Sequence, residues 1–410
     1  MRLTVLEHQK LYIGKTRNLA RPQISYEDAD AMRIIDLNNA GIFRWGNNFV
    51  QPKQWVGVIS LSGLSIEILP KVSDSYDEIF IKETLLYMFK VANNIPTKKD
   101  VRAKVEFTKN GLVEILITNY LEYVEYYLRQ GLNAEYCKVT KNLTAVKGSI
   151  DFAKQINRNI LNPTRFICRY SRLEVDNSIN QLIKYTLHQM HKVSRDYNNI
   201  KRIRTASIYF EDVKILDESA IRNLKIQINR INKRVSTVVD YSYLFLNGYS
   251  VSINNGHNEV SSMLFDMNKI FEDFIYRYYK KIFGSQVLYQ CAKNYLIKDK
   301  ANAVHKINLK PDLLITLGPR VKMVIDTKWK NIKAFVKESD VYQMNAYVSA
   351  INEVDTAVLM YPKIKESDSA VGDYDFLNVS GKKELKVRTV DLSLIGNETA
   401  FINHLKDLVT

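Results

Sequence analysis

The chain has 410 residues, 46% hydrophobic and 25% charged, which excludes a disordered polyelectrolyte and predicts two or three domains rather than one small core. Its 59 lysines and arginines against 44 acidic residues leave a net charge of +15, which favours a polyanionic partner, nucleic acid before an anionic membrane. Cys137, Cys168 and Cys291 share no Cys-x-x-Cys spacing, so neither a disulfide framework nor a zinc site is expected.

The opening stretch MRLTVLEHQKLYIGK lacks the unbroken apolar run of a secretory signal, and no window is apolar enough to span a bilayer. A cytoplasmic location is expected. Residues 1 to 75 read as β-rich. In WVGVISLSGLSIEILPKV, Val56, Val58, Leu64, Ile66 and Ile68 recur at strand spacing, with Gly63 marking a turn. Gly14-Lys15-Thr16 resembles the tail of a phosphate-binding loop. The pattern fails, because Gln9 stands where its first glycine is needed and Pro22 arrives before a helix can form.

From Asp77 the apolar period becomes helical. IFIKETLLYMFKVA and GLVEILITNYLEYVEYYLRQGL predict helices, the second closed by Gly131. NSINQLIKYTLHQMHKVSRDY predicts another, capped near Asp176. Residues 201–235 carry nine basic residues against four acidic ones, which suits either a nucleic-acid backbone or a solvated helix face. SINNGHNEV, from Ser252 to Val260, has the composition of a linker. The expected fold class is therefore α+β multidomain. It comprises a β-rich and helical domain over residues 1–150, a helical middle region over 151–258, and an α/β domain over 259–410.

Within the last segment, Met263, Met267, Ile270, Phe271, Phe274 and Tyr278 form one apolar stripe and predict an amphipathic helix. QVLYQCAKNYLI is strand-like. LKPDLLITLGPRVKMVIDTKWK predicts a hairpin, SDVYQMNAYVSAI a helix and TAVLMYP a short buried strand. Side chains alternate along a strand, so Asp326 and Lys328 share a face. A turn centred on Pro319 sets Asp312 opposite Asp326, and opposed residues have Cβ atoms about 4.5–5.5 Å apart. Two carboxylates that close call for a cation, and a hard divalent ion with oxygen ligands is the expected one. Pro311 cannot donate to a ladder, which fits an edge or a distorted strand. A half-exposed hairpin with its charges facing water is the alternative.

The order helix, hairpin, helix and buried strand resembles the PD-(D/E)xK nuclease superfamily. The motif reads Pro311-Asp312, thirteen residues, then Asp326-Thr327-Lys328. The resemblance implies Asp312, Asp326 and the Thr327 carbonyl as ligands of Mg²⁺, with Mn²⁺ as a substitute, and Lys328 beside the attacking water. It also implies that Gln343 and Tyr347, four apart on one helix face, point toward the site or the DNA. Glu272 in FEDF is the further carboxylate, preferred over its neighbour Asp273.

More of the chain is similar to the McrC family, the nuclease subunits of McrBC-type restriction systems. The stretches are GLSIEILPKV, RQGLNAEYCKVTKNLTAVKGSIDF, FICRYSRLEVDNSINQLIK, IDTKWKN and DVYQMNAY. Gln130 departs from the arginine that the family often carries before Gly-Leu. The resemblance implies an endonuclease acting on double-stranded DNA together with a McrB-like hexameric AAA+ GTPase, which the N-terminal region contacts and stimulates. Two other readings are a non-cutting activator of such a motor and a stand-alone DNA repair nuclease.

Overall fold

A computed structural model of the chain describes every residue except 39–40, 72–77, 98–110, 256–257, 293, 301–304, 318–319, 333–334, 352–353, 365–367, 378–380 and 410. It is a mixed α/β protein with several sheets. The chain forms two compact units, and they are not consecutive segments. Met1–Leu116 joins Asn247–Thr410 in one unit, and Ile117–Leu246 makes the other.

The first unit contains a five-stranded sheet ordered Arg2–Leu6, Leu64–Leu69, Trp55–Leu61, Asn258–Asp266 and Tyr249–Asn255. Of the residues read in alternation across Trp55–Leu69, Val56, Leu64, Ile66 and Ile68 are buried, whereas Val58 is half-buried and Ile59 and Leu61, of the opposite parity, are buried as well. Gly57 has a φ of 137°, and a Cβ there would lie 2.1 Å from the Met263 carbonyl oxygen. Only glycine lets these two strands approach so closely. Gly14 closes the strand Leu11–Gly14 in a smaller sheet. The helix Tyr26–Asn38 stands within the stretch read as β-rich and packs Met32 and Ile35 into the same core as Ile59 and Ile66.

Two expectations are corrected here. SINNGHNEV is not a linker: its described residues lie in two strands that pair antiparallel from Tyr249↔Leu264 to Asn255↔Asn258. Tyr249–Asn255 is the outermost strand of its sheet, where a polar composition is tolerated because backbone groups, not side chains, make the ladder. Met263 is also not helical. It sits in the strand Asn258–Asp266 opposite Val58, and the helix begins at Met267 with the Asp266 side chain accepting from the Asn268 N–H.

The second sheet of this unit has six strands in the order Val287–Tyr289, Leu313–Leu317, Arg320–Thr327, Thr356–Pro362, Glu384–Val390, Gly372–Asp375. Arg320–Thr327 is antiparallel to Leu313–Leu317 and parallel to Thr356–Pro362. The helix Glu338–Ala350 makes that parallel crossover, and Met344 and Val348 pack with Val324, Ala357 and Leu359. Every residue of Thr356–Pro362 is buried, as a strand covered on both faces requires. The helix Met267–Phe283 buries Ile270, Phe271, Phe274 and Tyr278. The strand-like run after it splits in two. Val287–Tyr289 joins the six-stranded sheet, whereas Asn294–Lys298 pairs with His305–Leu309 in a separate ribbon.

The second unit packs the helices Ser178–Val193, Tyr197–Ile208 and Ser236–Asn247 with the end of Leu112–Arg129 and a three-stranded sheet. Gly131 has a φ of 83° and its N–H reaches the Leu128 carbonyl at 3.0 Å, the helix stop read from the sequence. Asn177, next to the expected Asp176, caps Ser178–Val193. Part of the basic segment is engaged within the unit: Arg202 pairs with Glu125 at 2.6 Å, Arg222 with Glu218 at 2.6 Å, and Arg234 donates to the Gln130 carbonyl at 2.9 Å. Among the described residues no helix is long and apolar enough to cross a membrane.

Candidate functional site

The ladder between the two central strands pairs Leu313 with Ile325, so one step further sets Asp312 against Asp326. That is the opposition read from the sequence. The expected turn centre, Pro319, lies outside the described residues. Between Ile315 and Thr316 the register slips by one, so that Thr316 pairs with Val321 and Leu317 with Arg320. This bulge absorbs the irregularity before it reaches the carboxylates. Pro311 stands between the strand His305–Leu309 of the ribbon and Leu313–Leu317 of the main sheet. It therefore marks a break between sheets. The strand that follows it is interior, not an edge.

Asp312 Oδ2 accepts from the Thr327 N–H at 2.7 Å and from Thr327 Oγ1 at 2.8 Å. Its Oδ1 has no hydrogen bond to the described residues. Asp326 is 1% exposed at the end of its strand, and the Lys328 ammonium forms an ion pair with its Oδ2. Lys328 also donates to Gln343 Oε1 at 3.0 Å. The Gln343 amide in turn donates to Asp326 Oδ1 at 3.2 Å and to the Tyr347 hydroxyl at 2.7 Å, which donates to the Lys310 carbonyl at 3.2 Å. Asp312, Asp326, Thr327, Lys328, Gln343 and Tyr347 therefore form one connected group.

Glu272 joins from the helix Met267–Phe283 by electrostatics more than by contact. Its carboxylate accepts from Gln290 Nε2 at 2.7 Å, and Gln290 N–H donates to the Asp312 carbonyl at 2.9 Å. Asp273 is occupied elsewhere, accepting from the Tyr289 hydroxyl at 2.6 Å.

The charges report this crowding. Burial, and then the Glu272 charge, push Asp312 up to about 6 against the pull of the Thr327 bonds. Burial, and then the Asp312 charge, push Asp326 up to about 7 despite Lys328. For Lys328, burial works to lower the ammonium, but Asp326, with Asp312 and Asp340 behind it, wins and raises it. Burial raises Glu272 as well, with Asp273 and Asp326 adding to it.

These donors fit a hard divalent cation. All are oxygens, two are carboxylates that burial and neighbouring acids push upward, and Asp312 Oδ1 is uncommitted among the described residues. Among the described residues no group of three or more His, Cys, Asp or Glu converges on one point. A cation there would take its remaining ligands from backbone and water.

Sequence reasoning missed Asp340. It is buried in the first turn of the helix Glu338–Ala350, accepts from the Tyr361 hydroxyl at 2.8 Å and pairs with Lys330. Its place three residues before Gln343, on the same helix face, was the available signal.

A family model described as "McrBC 5-methylcytosine restriction system component" matches residues 50–362. Among solved structures the chain is similar to a half-complex from a tetradecameric assembly of Thermococcus gammatolerans McrB AAA+ hexamers with bound McrC. The match has a TM-score of 0.62 at 17% identity and covers 100% of both chains. A cryo-EM structure of the Thermococcus gammatolerans McrBC complex matches with a TM-score of 0.50 at 17% identity, over 68% of this chain and 86% of that one. A search of curated proteins gives no match.

Proposed function

Because the chain belongs to the McrBC restriction-system component family, we propose that it is the DNA endonuclease subunit of such a system, with its active site on the Asp312–Lys328 strand pair. The observation that carries this reading is the opposition of Asp312 and Asp326 across two paired strands, with Lys328 on the same face. We assign the six-stranded sheet and its helices Met267–Phe283 and Glu338–Ala350 to a PD-(D/E)xK core. An AAA+ GTPase hexamer is the proposed partner, as the similar Thermococcus assembly holds McrC with McrB AAA+ hexamers. Double-stranded DNA is the proposed substrate, which the net charge of +15 favours.

In this reading Asp312, Asp326 and the Thr327 carbonyl hold Mg²⁺ or Mn²⁺. A metal held by these residues would supply acidification of a water molecule and offset charge on the phosphate. Lys328 keeps its proton at Nζ because Asp326 stabilises the ammonium, so it supplies a fixed positive charge to the phosphate oxygens. Gln343 fixes the Lys328 and Asp326 side chains relative to one another, and Tyr347 fixes Gln343.

The test is plasmid cleavage by the purified chain with Mg²⁺, with and without the neighbouring AAA+ protein and GTP, beside Asp326→Ala. Cutting only in the full mixture, and its loss in the variant, is the expected result. Cutting by the chain alone would make it an autonomous nuclease. GTPase stimulation without cutting would make it a motor activator.

A further inference from the structure

Immediately after the motif the chain turns tightly. Lys328 N–H makes the last strand bond to the Met360 carbonyl at 2.8 Å, and Lys330 N–H returns to the Lys328 carbonyl at 3.0 Å. Trp329 is the middle residue of this turn and is 3% exposed. A buried indole N–H is a donor that must find an acceptor. Its acceptor comes from the other end of the chain. Nε1 donates to Glu7 Oε1 at 3.0 Å and to Oε2 at 3.1 Å.

Glu7 is itself 4% exposed and follows the strand Arg2–Leu6. Its backbone is tied down, with the N–H donating to the Leu69 carbonyl at 2.8 Å, and its Oε1 also accepts from Lys71 N–H at 2.9 Å. A carboxylate only accepts, so it takes all of these donors at once. A glutamine would set its own N–H₂ against one of them. Burying a carboxylate is costly, and it persists where its oxygens are needed. The indole ring also packs edge-on against Phe271, at 5.4 Å between centroids, and Phe271 is the residue before Glu272. On the other side of the turn, Lys330 pairs with Asp340. The three residues Lys328, Trp329 and Lys330 are thus anchored by three acidic residues: Asp326, Glu7 and Asp340.

We propose that Glu7 is a positioning residue for the nuclease site, holding the Trp329 indole and through it the turn from which Lys328 reaches Asp326. This inference rests on the nuclease reading above. It makes the N-terminal sheet a structural part of the cleavage centre. Glu7 touches neither the DNA nor the reacting atoms; it fixes the backbone from which Lys328 springs.

The experiment uses the full chain assembled with its AAA+ partner and GTP, cutting plasmid DNA with Mg²⁺. Trp329→Phe keeps an aromatic ring and removes the indole N–H together with the five-membered ring that carries it. Glu7→Gln keeps the volume, and the double variant closes a cycle. Single-turnover cleavage should fall about 10- to 100-fold in Trp329→Phe, the range seen when a residue supporting a metal site is lost. The KM for DNA and the GTPase stimulation should not change. The double variant should cut no more slowly than the worse single one, because both act on the same Glu7–Trp329 contact. Thermal unfolding of each variant separates lost positioning from lost folding, and Trp329→Phe carries the test if Glu7→Gln does not fold. Cleavage within twofold of the parent in folded Trp329→Phe would overturn the proposal, as would losses that multiply in the double variant. A parent that does not cut at all would instead refute the nuclease reading, and the role of Glu7 in cleavage would fall with it.

Discussion

Lys328 reaches back along its own strand to Asp326, pairing with the carboxylate that Asp312 opposes from the neighbouring strand. One ammonium therefore serves two acids that repel one another. Lys328→Ala should remove the charge offered to a phosphate and slow cleavage about 100- to 1,000-fold. It should also destabilise the fold, by less than the roughly 3–5 kcal/mol of a fully buried broken pair, because the Lys328 side chain is 23% exposed. Plasmid cleavage and chemical denaturation measure the two effects separately. Near-parental cutting would remove Lys328 from the mechanism.

Added Mg²⁺ should stabilise the isolated chain. A ligand that binds only the folded form at one hundred times its Kd contributes about 2.7 kcal/mol. Asp312→Asn and Asp326→Asn should each abolish the shift in melting temperature. If both variants still respond to Mg²⁺ like the parent, the ion sits elsewhere.

Gln343 makes three bonds, to Asp326, Lys328 and Tyr347. Gln343→Ala should lower the cleavage rate about 10- to 100-fold. Tyr347→Phe, which leaves the Asp326 and Lys328 bonds in place, should cost less. Single-turnover rates rank the two, and the reverse order would mean that Tyr347 acts directly.

Glu7 predicts a pH dependence of stability apart from catalysis. Burial raises its carboxyl to about 7, from an ordinary value of 4.5, against the bonds from Lys71 and Trp329. Below about pH 7 the folded protein thus keeps a proton that the unfolded chain releases, and above it Glu7 is the carboxylate that accepts from Trp329 and Lys71. The associated stability is complete below about pH 4.5 and is lost as pH rises through about 7. Denaturation midpoints of metal-free protein between about pH 5 and pH 8 should fall more steeply for the parent than for Glu7→Gln. Parallel curves would show that Glu7 does not titrate in that range.

The sequence made the site's local geometry legible and its supports invisible. An unbroken ladder about Pro319 opposes Asp312 and Asp326 on paper, but beside the turn Leu317 pairs with Arg320, and it is the bulge between Ile315 and Thr316, which alternation does not reveal, that brings Leu313 opposite Ile325. The burial of Thr356–Pro362 was readable from its unbroken apolar run. Met263 was misread because its spacing to Met267 suits a helix, although strand pairing with Val58 decides the matter. SINNGHNEV was misread because the strand that the hairpin completes, Trp55–Leu61, lies some two hundred residues earlier. Glu7 and Trp329 are 322 residues apart, and no local pattern joins them.

The same interleaving sets an order on the birth of the molecule. As the chain leaves the ribosome, Trp55–Leu61 cannot gain its second neighbour until Asn258–Asp266 has been made, and Glu7 waits longer still for Trp329. The intervening unit Ile117–Leu246 consists of contacts closer in sequence, so it is free to fold while its host is incomplete. A nascent chain thus lacks its candidate site, whose supports are complete only when Glu7 and Trp329 meet.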